Sequence, residues 1–143
     1  MAGVDTACLF CRIAAGTEPA HLVLDTPEVV AFLDTRPVFK GHALVIPRQH
    51  VDTIVELPAA LVQPLFGQVQ RIAGAVGAAF GAQGSFVATN SRVSQSVPHL
   101  HVHVVPRAKG DGLRGFFWPR TKYASDDEAA EYAARLAAAL ART

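Results

Sequence analysis

Hydrophobic spacing along the chain changes character several times. Val23–Asp25 and Val29–Leu33 are short β-rich runs around the turn residues Thr26-Pro27-Glu28, which predicts two strands in sequence. Ala43–Ile46 is an unbroken apolar run between Gly41 and Pro47, the pattern of a buried strand. The spacing then lengthens. Leu61, Leu65, Val69, Ile72, Val76 and Phe80 recur every three or four residues and mark one face of a long helix. Pro58 suits its first turn, Pro64 makes its start uncertain, and Gly81 and Gly84 end it. Strand spacing returns over Ser85–Thr89 and Leu100–Val105. Ser125-Asp126-Asp127-Glu128 then forms a capping box ahead of an alanine-rich helix reaching about Leu140. The expected fold is α+β: an antiparallel sheet of about five strands, one long helix and a C-terminal helix.

At 143 residues, with no repeat and no long linker, the chain reads as one domain over 1–143, with a core of about 8–107 and an extension over 108–143. Half of the residues are apolar and 17% are charged, so disorder is excluded. A net charge of +1 gives no general affinity for nucleic acid or membrane, and no strand interleaves basic with aromatic residues. The charge is unevenly placed. Arg92, Arg107, Lys109, Arg114, Arg120 and Lys122 face one acid, Asp111, across the stretch 92–122, which favours either a small anionic ligand or a solvated basic loop. No basic n-region opens the chain and no apolar run spans a membrane, so a cytoplasmic protein is expected.

The chemistry concentrates in His99-Leu100-His101-Val102-His103. Alternation on a strand puts the three imidazoles on one face and the apolar residues on the other, toward a core. Same-face neighbours on a straight strand are ~6.7 Å apart, so His99 and His103 stand ~13 Å apart and cannot share one metal ion with bonds of ~2 Å. Separate roles are the better reading, because histidine serves both as nucleophile and as proton carrier near neutral pH. Cys8-x-x-Cys11 is ambiguous by itself: a redox pair, half a metal site, or two buried thiols.

The stretch Ser94–Arg107, with its His-x-His-x-His followed by two apolar residues, resembles the signature of the histidine triad superfamily. Cys8–Ile13, Phe32–Pro37 and Gly41–His50 resemble the Hint-type branch in order and spacing, so the likeness covers about residues 8–107. Trp118–Tyr123 resembles the extensions of some bacterial members. The resemblance implies a nucleotide hydrolase or transferase acting at the α-phosphorus of nucleoside phosphoramidates, dinucleoside polyphosphates or nucleotidyl adducts. It implies His101 as a covalent nucleophile, with His103 and Ser96 assisting. Asp34, Thr35, Asn90, Gln95 and Ser96 would join His101 and His103 in holding the nucleotide, Asp34 at the ribose hydroxyls. Asp34 equally suits a turn, Asn90 a strand-end cap, and Ser96 loop backbone.

The same resemblance implies a structural Zn²⁺ on Cys8, Cys11, His50 and His99, and a homodimer joined through the long helix. A zinc-stabilised nucleotide-binding regulatory module with negligible turnover is the alternative from a different class. His21 reads as a surface residue. His42 reads as a structural hydrogen-bonder with no assigned mechanism, and Trp118 has no assigned role.

Overall fold

The computed structural model describes residues 4–113 and 121–143. They fall into two compact units, 1–111 and 112–143. The expectations for Arg114, Trp118 and Arg120 lie outside the described residues.

The first unit contains α1 (Leu9–Ala15), β1 (Leu22–Asp25), β2 (Val29–Leu33), β3 (Ala43–Pro47), a 3-10 turn (Ile54–Glu56), α2 (Ala59–Phe80), β4 (Gly84–Ala88) and β5 (Val102–Arg107). The strands form one five-stranded sheet in the order β1-β2-β3-β5-β4, with every neighbouring pair antiparallel. The fold is α+β, as the changes of period imply.

Each face of the sheet has its own core. On one face, Val29, Ala31, Ala43, Val45, Leu100, Val102 and Val104 meet Leu65, Val69, Ile72 and Val76 of α2. On the other, Val30, Phe32, Leu44 and Ile46 meet Phe10, Cys11 and Ile13 of α1 and Cys8, which caps it. Cover on both faces explains why β2 and β3 are continuous apolar runs instead of alternating ones. It also corrects the sequence reading, which did not anticipate α1. Seven residues carry too little periodicity to declare a helix. Its ends are nonetheless defined: the Cys8 thiol accepts the Cys11 backbone N–H, and Gly16, at φ 78°, closes the helix in the left-handed region.

α2 starts at Ala59 and keeps Pro64 inside it. Pro64 has no N–H to give the Ala60 carbonyl, and the loss is confined to the second turn while four apolar residues behind it are buried. Each large aliphatic side chain so buried contributes about 1.5–3 kcal/mol, enough to offset one missing bond. β5 begins at Val102, two residues later than the predicted strand, so His99 and His101 precede it. Leu100 keeps strand-like alternation there because its N–H is held by the Val51 carbonyl at 2.8 Å.

The second unit is built on α3 (Asp126–Leu140), whose first turn is capped by the Ser125 hydroxyl accepting the Glu128 N–H. Glu128 in turn accepts the Ala124 N–H at 3.0 Å. Among the described residues no helix is long and apolar enough to cross a membrane.

Candidate active site and metal centre

Alternation across residues 99–104 sends Leu100, Val102 and Val104 into the α2 core, and His99, His101 and His103 toward the α1 side. The histidine side is not a solvated polar strand face: His99 is 0% and His101 5% exposed. α1 and the loops beside the sheet bury the two rings and divide the triad into separate environments.

His99 joins the N-terminal cysteines. Its Nδ1 lies 3.4 Å from the Cys8 Sγ and 3.5 Å from the Cys11 Sγ, while the Cys11 Sγ is 3.3 Å from the His50 Nδ1. The four donor atoms lie within 4.8 Å of one another. The outer nitrogens are already committed. His99 Nε2 donates to the Pro47 carbonyl at 2.8 Å, and His50 Nε2 lies 2.9 Å from the Asp52 carboxylate. Both rings thereby present a bare Nδ1 to the thiols, with the outer partners that metal-bound imidazoles use. Burial holds His99 well below its usual value, at about 4, so it is neutral and able to ligate. Burial, and then the neighbouring Cys8, push the Cys11 thiol up to about 12. A divalent cation is the partner that would reverse that shift, because thiolates are the ligating form. Two thiols and two imidazoles of this kind fit a tetrahedral structural zinc site.

His101 and His103 line a cleft of about 400 Å³ with Asp34, Thr35, Arg36 and Ser96, floored by Leu9, Phe10, Ile13, Phe32, Leu44 and Val97. That volume is in the range of small-ligand sites, about 300–1,000 Å³. A larger depression of about 580 Å³ includes Cys11, Arg48 and His50. Its cation, Arg48, is occupied by the Pro27, Ala14 and Thr26 carbonyls and by Asp25, so the smaller cleft carries the reactive groups.

Hydrogen bonds fix the tautomers in the cleft. His101 Nδ1 is 2.8 Å from the His99 carbonyl, which can only accept, so Nδ1 carries a proton and, in the neutral ring, Nε2 holds the lone pair. The Phe10 ring stands edge-on to His101 at 5.1 Å between centroids. A second chain runs through His42. The Val38 N–H can only donate, so His42 Nδ1, 3.1 Å away, accepts. His42 Nε2 must then donate to His103 Nδ1 at 2.9 Å, which leaves His103 with its proton on Nε2. Burial and the neighbouring His101 and His42 hold His103 at about 4, and burial lowers His42 also, so this chain is neutral. One bare imidazole nitrogen therefore stands beside one imidazole N–H donor, with ring centroids 5.1 Å apart.

The HIT domain family model matches residues 15–110. The chain belongs to the HIT family. It is 40% identical over 114 residues to Protein hit of Bacillus subtilis, covering 78% of each chain. It is 32% identical over 114 residues to the adenosine 5'-monophosphoramidase of Schizosaccharomyces pombe, covering 79% of this chain and 84% of that one. A solved structure of a Zn-bound histidine triad family protein from Mycobacterium smegmatis superposes with a TM-score of 0.73 at 34% identity, over 96% of this chain and 99% of that one.

Within this HIT domain the structure brings Asp34, Thr35, Ser96, His101 and His103 to one cleft and Cys8, Cys11, His50 and His99 to another cluster. Asp34 also takes the turn role considered for it: its Oδ1 accepts the Arg36 N–H at 2.8 Å, and its Oδ2 is 3.8 Å from His42 Nδ1. Asn90 and Gln95 are not at the cleft. The Asn90 amide donates to the Ser94 carbonyl, and the Gln95 amide bonds the Arg92 N–H and the Asp52 carbonyl. Of the described basic residues in the stretch 92–122, Arg92 pairs with Glu56 and Arg107 with Asp111, and among the described residues Arg36 lines the cleft. His21 is exposed, as expected. His42, read as a structural hydrogen-bonder, proves to bond directly to a triad histidine. Sixty-one positions separate the two, so no local pattern could announce the contact.

Proposed function

We propose that this protein is a nucleotide hydrolase or transferase that cleaves at the α-phosphorus of nucleoside phosphoramidates, nucleotidyl adducts or dinucleoside polyphosphates. The observation that carries the reading is the His101 tautomer: with Nδ1–H held by the His99 carbonyl, the lone pair on Nε2 belongs to a cleft that also holds an imidazole N–H. The relationship to an adenosine 5'-monophosphoramidase supports the substrate class.

In this scheme His101 Nε2 forms a bond to phosphorus as the bond to the leaving group breaks, and the leaving group departs with a proton taken from solvent, which is returned when water adds in the second step. Water then cleaves the P–N bond, releasing the nucleoside monophosphate and regenerating neutral His101. Two easier steps replace one difficult step. His103 Nε2–H and the Ser96 hydroxyl donate to phosphate oxygens, where charge develops. Arg36 adds a positive charge, Asp34 and Thr35 meet the ribose hydroxyls, and the apolar floor takes the base. Asn90 and Gln95 brace the loop that carries Ser96.

Cys8, Cys11, His50 and His99 would hold zinc. When bound, the ion supplies a structural cross-link between α1, the end of β3 and the approach to β5. His99 thus belongs to the scaffold, and the other two triad histidines are left to the reaction. The free thiols of Cys8 and Cys11 suit a reducing, cytoplasmic setting. The unit 8–107 would act as the catalytic core of a single domain, with 108–143 as its extension. Only Arg71 is charged in the 22 residues of α2, whose outward Ala60, Gln63, Gly74 and Ala78 suit a homodimer contact.

His101→Ala tests the reading. Turnover of an adenosine phosphoramidate should disappear while AMP binding remains measurable. Near-normal turnover by the variant would remove His101 as the nucleophile.

A further inference from the structure

The loop between β4 and His99 has an unusual backbone. Arg92 and Ser94 both occupy the left-handed region, at φ 69° and φ 59°, although neither is glycine. Residues held this way persist only where their surroundings over-determine them. The loop delivers Ser96 to the cleft, so whatever fixes the loop also fixes Ser96.

At its ends the loop is tied by the Thr89 hydroxyl, which donates to the His101 carbonyl at 2.8 Å, and by Val97, which packs against the α1-side core; between them, among the described residues, only polar contacts remain. Arg92 reaches Glu56 at 3.2 Å, but the two side chains are 78% and 41% exposed, and such solvated pairs contribute little. The Asn90 amide reaches the Ser94 carbonyl and stays within the loop. Gln95 alone bonds in both directions. Its Oε1 accepts the Arg92 N–H at 2.8 Å, across the strained turn, and its Nε2 donates to the Asp52 carbonyl at 2.6 Å, outside the loop. The segment it grips is itself anchored twice. The Val51 carbonyl accepts the Leu100 N–H, and the Asp52 carboxylate holds His50 of the thiol–imidazole cluster.

We propose that Gln95 is a positioning residue: a strut that locks the 91–97 loop against Val51-Asp52 and so presents the Ser96 hydroxyl to the substrate phosphate. The inference rests on the reaction proposed above for what Ser96 does, and on hydrogen bonding alone for what Gln95 does. Both ends of the Gln95 amide are engaged within the protein, so it acts on substrate through Ser96 and not by contact. Glutamine is suited to this place because one end must accept and the other donate. Glutamate keeps the first bond and sets a carboxylate against a carbonyl at the second.

The experiment compares wild type, Gln95→Ala, Ser96→Ala and the double variant. Backbone ¹⁵N relaxation on substrate-free protein reads the strut directly. Order parameters across 92–96 should fall in Gln95→Ala from about 0.85 to below about 0.6, with α2 and β5 unchanged. In the kinetic cycle with adenosine phosphoramidate, Gln95→Ala should lower kcat/KM about tenfold in wild type and leave it nearly unchanged in Ser96→Ala, the non-additivity of residues acting as one unit. Gln95→Glu should loosen the loop to an intermediate degree, and it replaces Gln95→Ala if the latter does not fold. An unchanged loop in the substrate-free variant overturns the proposal. So does a Gln95 effect that persists undiminished in Ser96→Ala, the result expected if the amide met the phosphate itself. Should wild type turn over no phosphoramidate, the functional reading fails, and the relaxation comparison still decides the strut.

Discussion

Replacing His42 with alanine tests the hydrogen-bonded chain behind His103. His42 is 3% exposed and makes two bonds, accepting from Val38 N–H and donating to His103 Nδ1. The alanine variant leaves one donor and one acceptor without partners. Each unsatisfied group costs about 1–3 kcal/mol where it is buried, so a stability loss of about 2–6 kcal/mol is expected by chemical denaturation. The catalytic effect has a different origin. With His42 present, His103 always carries its proton on Nε2; without it, both neutral tautomers are open and the ring can turn. A net hydrogen bond is worth about 0.5–1.5 kcal/mol, whereas removing a positioned transition-state donor costs about 2.7–4 kcal/mol. Loosening the donor should fall between these limits, a loss of about tenfold to a hundredfold in kcat with a smaller change in KM. His103→Ala should cost more, and adding His42→Ala to it should cost little further. Steady-state hydrolysis of adenosine phosphoramidate by the folded variants provides the measurement. A His42→Ala enzyme within about threefold of wild type, or losses that multiply in the double variant, would refute the chain.

Further outcomes follow from the same structure. Protein purified without added zinc should contain about one ion per chain, and chelation or Cys11→Ser should lower the melting temperature; a metal ratio near zero with unchanged melting would remove the metal centre. The His103 value of about 4 in the folded chain lies below the 6.5 of an unfolded histidine, so the unfolded chain takes up the proton first as pH falls. Its stabilising contribution, at most about 3 kcal/mol, is complete above pH 6.5 and is lost toward pH 4. Melting curves of His103→Gln should therefore flatten across that window relative to wild type, and parallel curves would contradict the assignment. At Gly41, φ is 95° and an added Cβ would stand 2.5 Å from the Phe80 ring. Gly41→Ala should destabilise by about 1–3 kcal/mol, with little recovery on adding Phe80→Ala, because the exposed ring can move and the backbone cannot.

What the sequence made legible was periodic or contiguous. Short β-rich and unbroken apolar runs, a three-to-four-residue spacing and a capping box revealed the five strands, α2 and α3 in turn, with ends displaced by a residue or two; core burial enforces the strand and α2 patterns, whereas α3 buries none of its residues. The blocks Cys8–Ile13, Gly41–His50 and Ser94–Arg107 pointed to both clusters for the same reason: their residues keep order and spacing. α1 stayed hidden because packing of Phe10 and Ile13 against the sheet sustains it, not its own periodicity. The His42–His103 bond, the Arg36 placement at the cleft and the inward turn of the Gln95 amide depend on contacts between distant segments. Within the basic stretch Arg92 and Arg107 are paired with acids, as a solvated loop would have them, and Arg36 at the cleft lies outside that stretch.

The proposed reaction turns on a bond between His101 Nε2 and phosphorus. Rapid acid-free quenching of wild-type protein with an adenosine phosphoramidate, followed by peptide mass mapping, tests it most directly. A nucleotidyl group is expected on the peptide bearing His101, formed and consumed at rates that match turnover, and absent from His101→Ala. Turnover without any adduct, or an adduct on another residue formed at a competent rate, would contradict it.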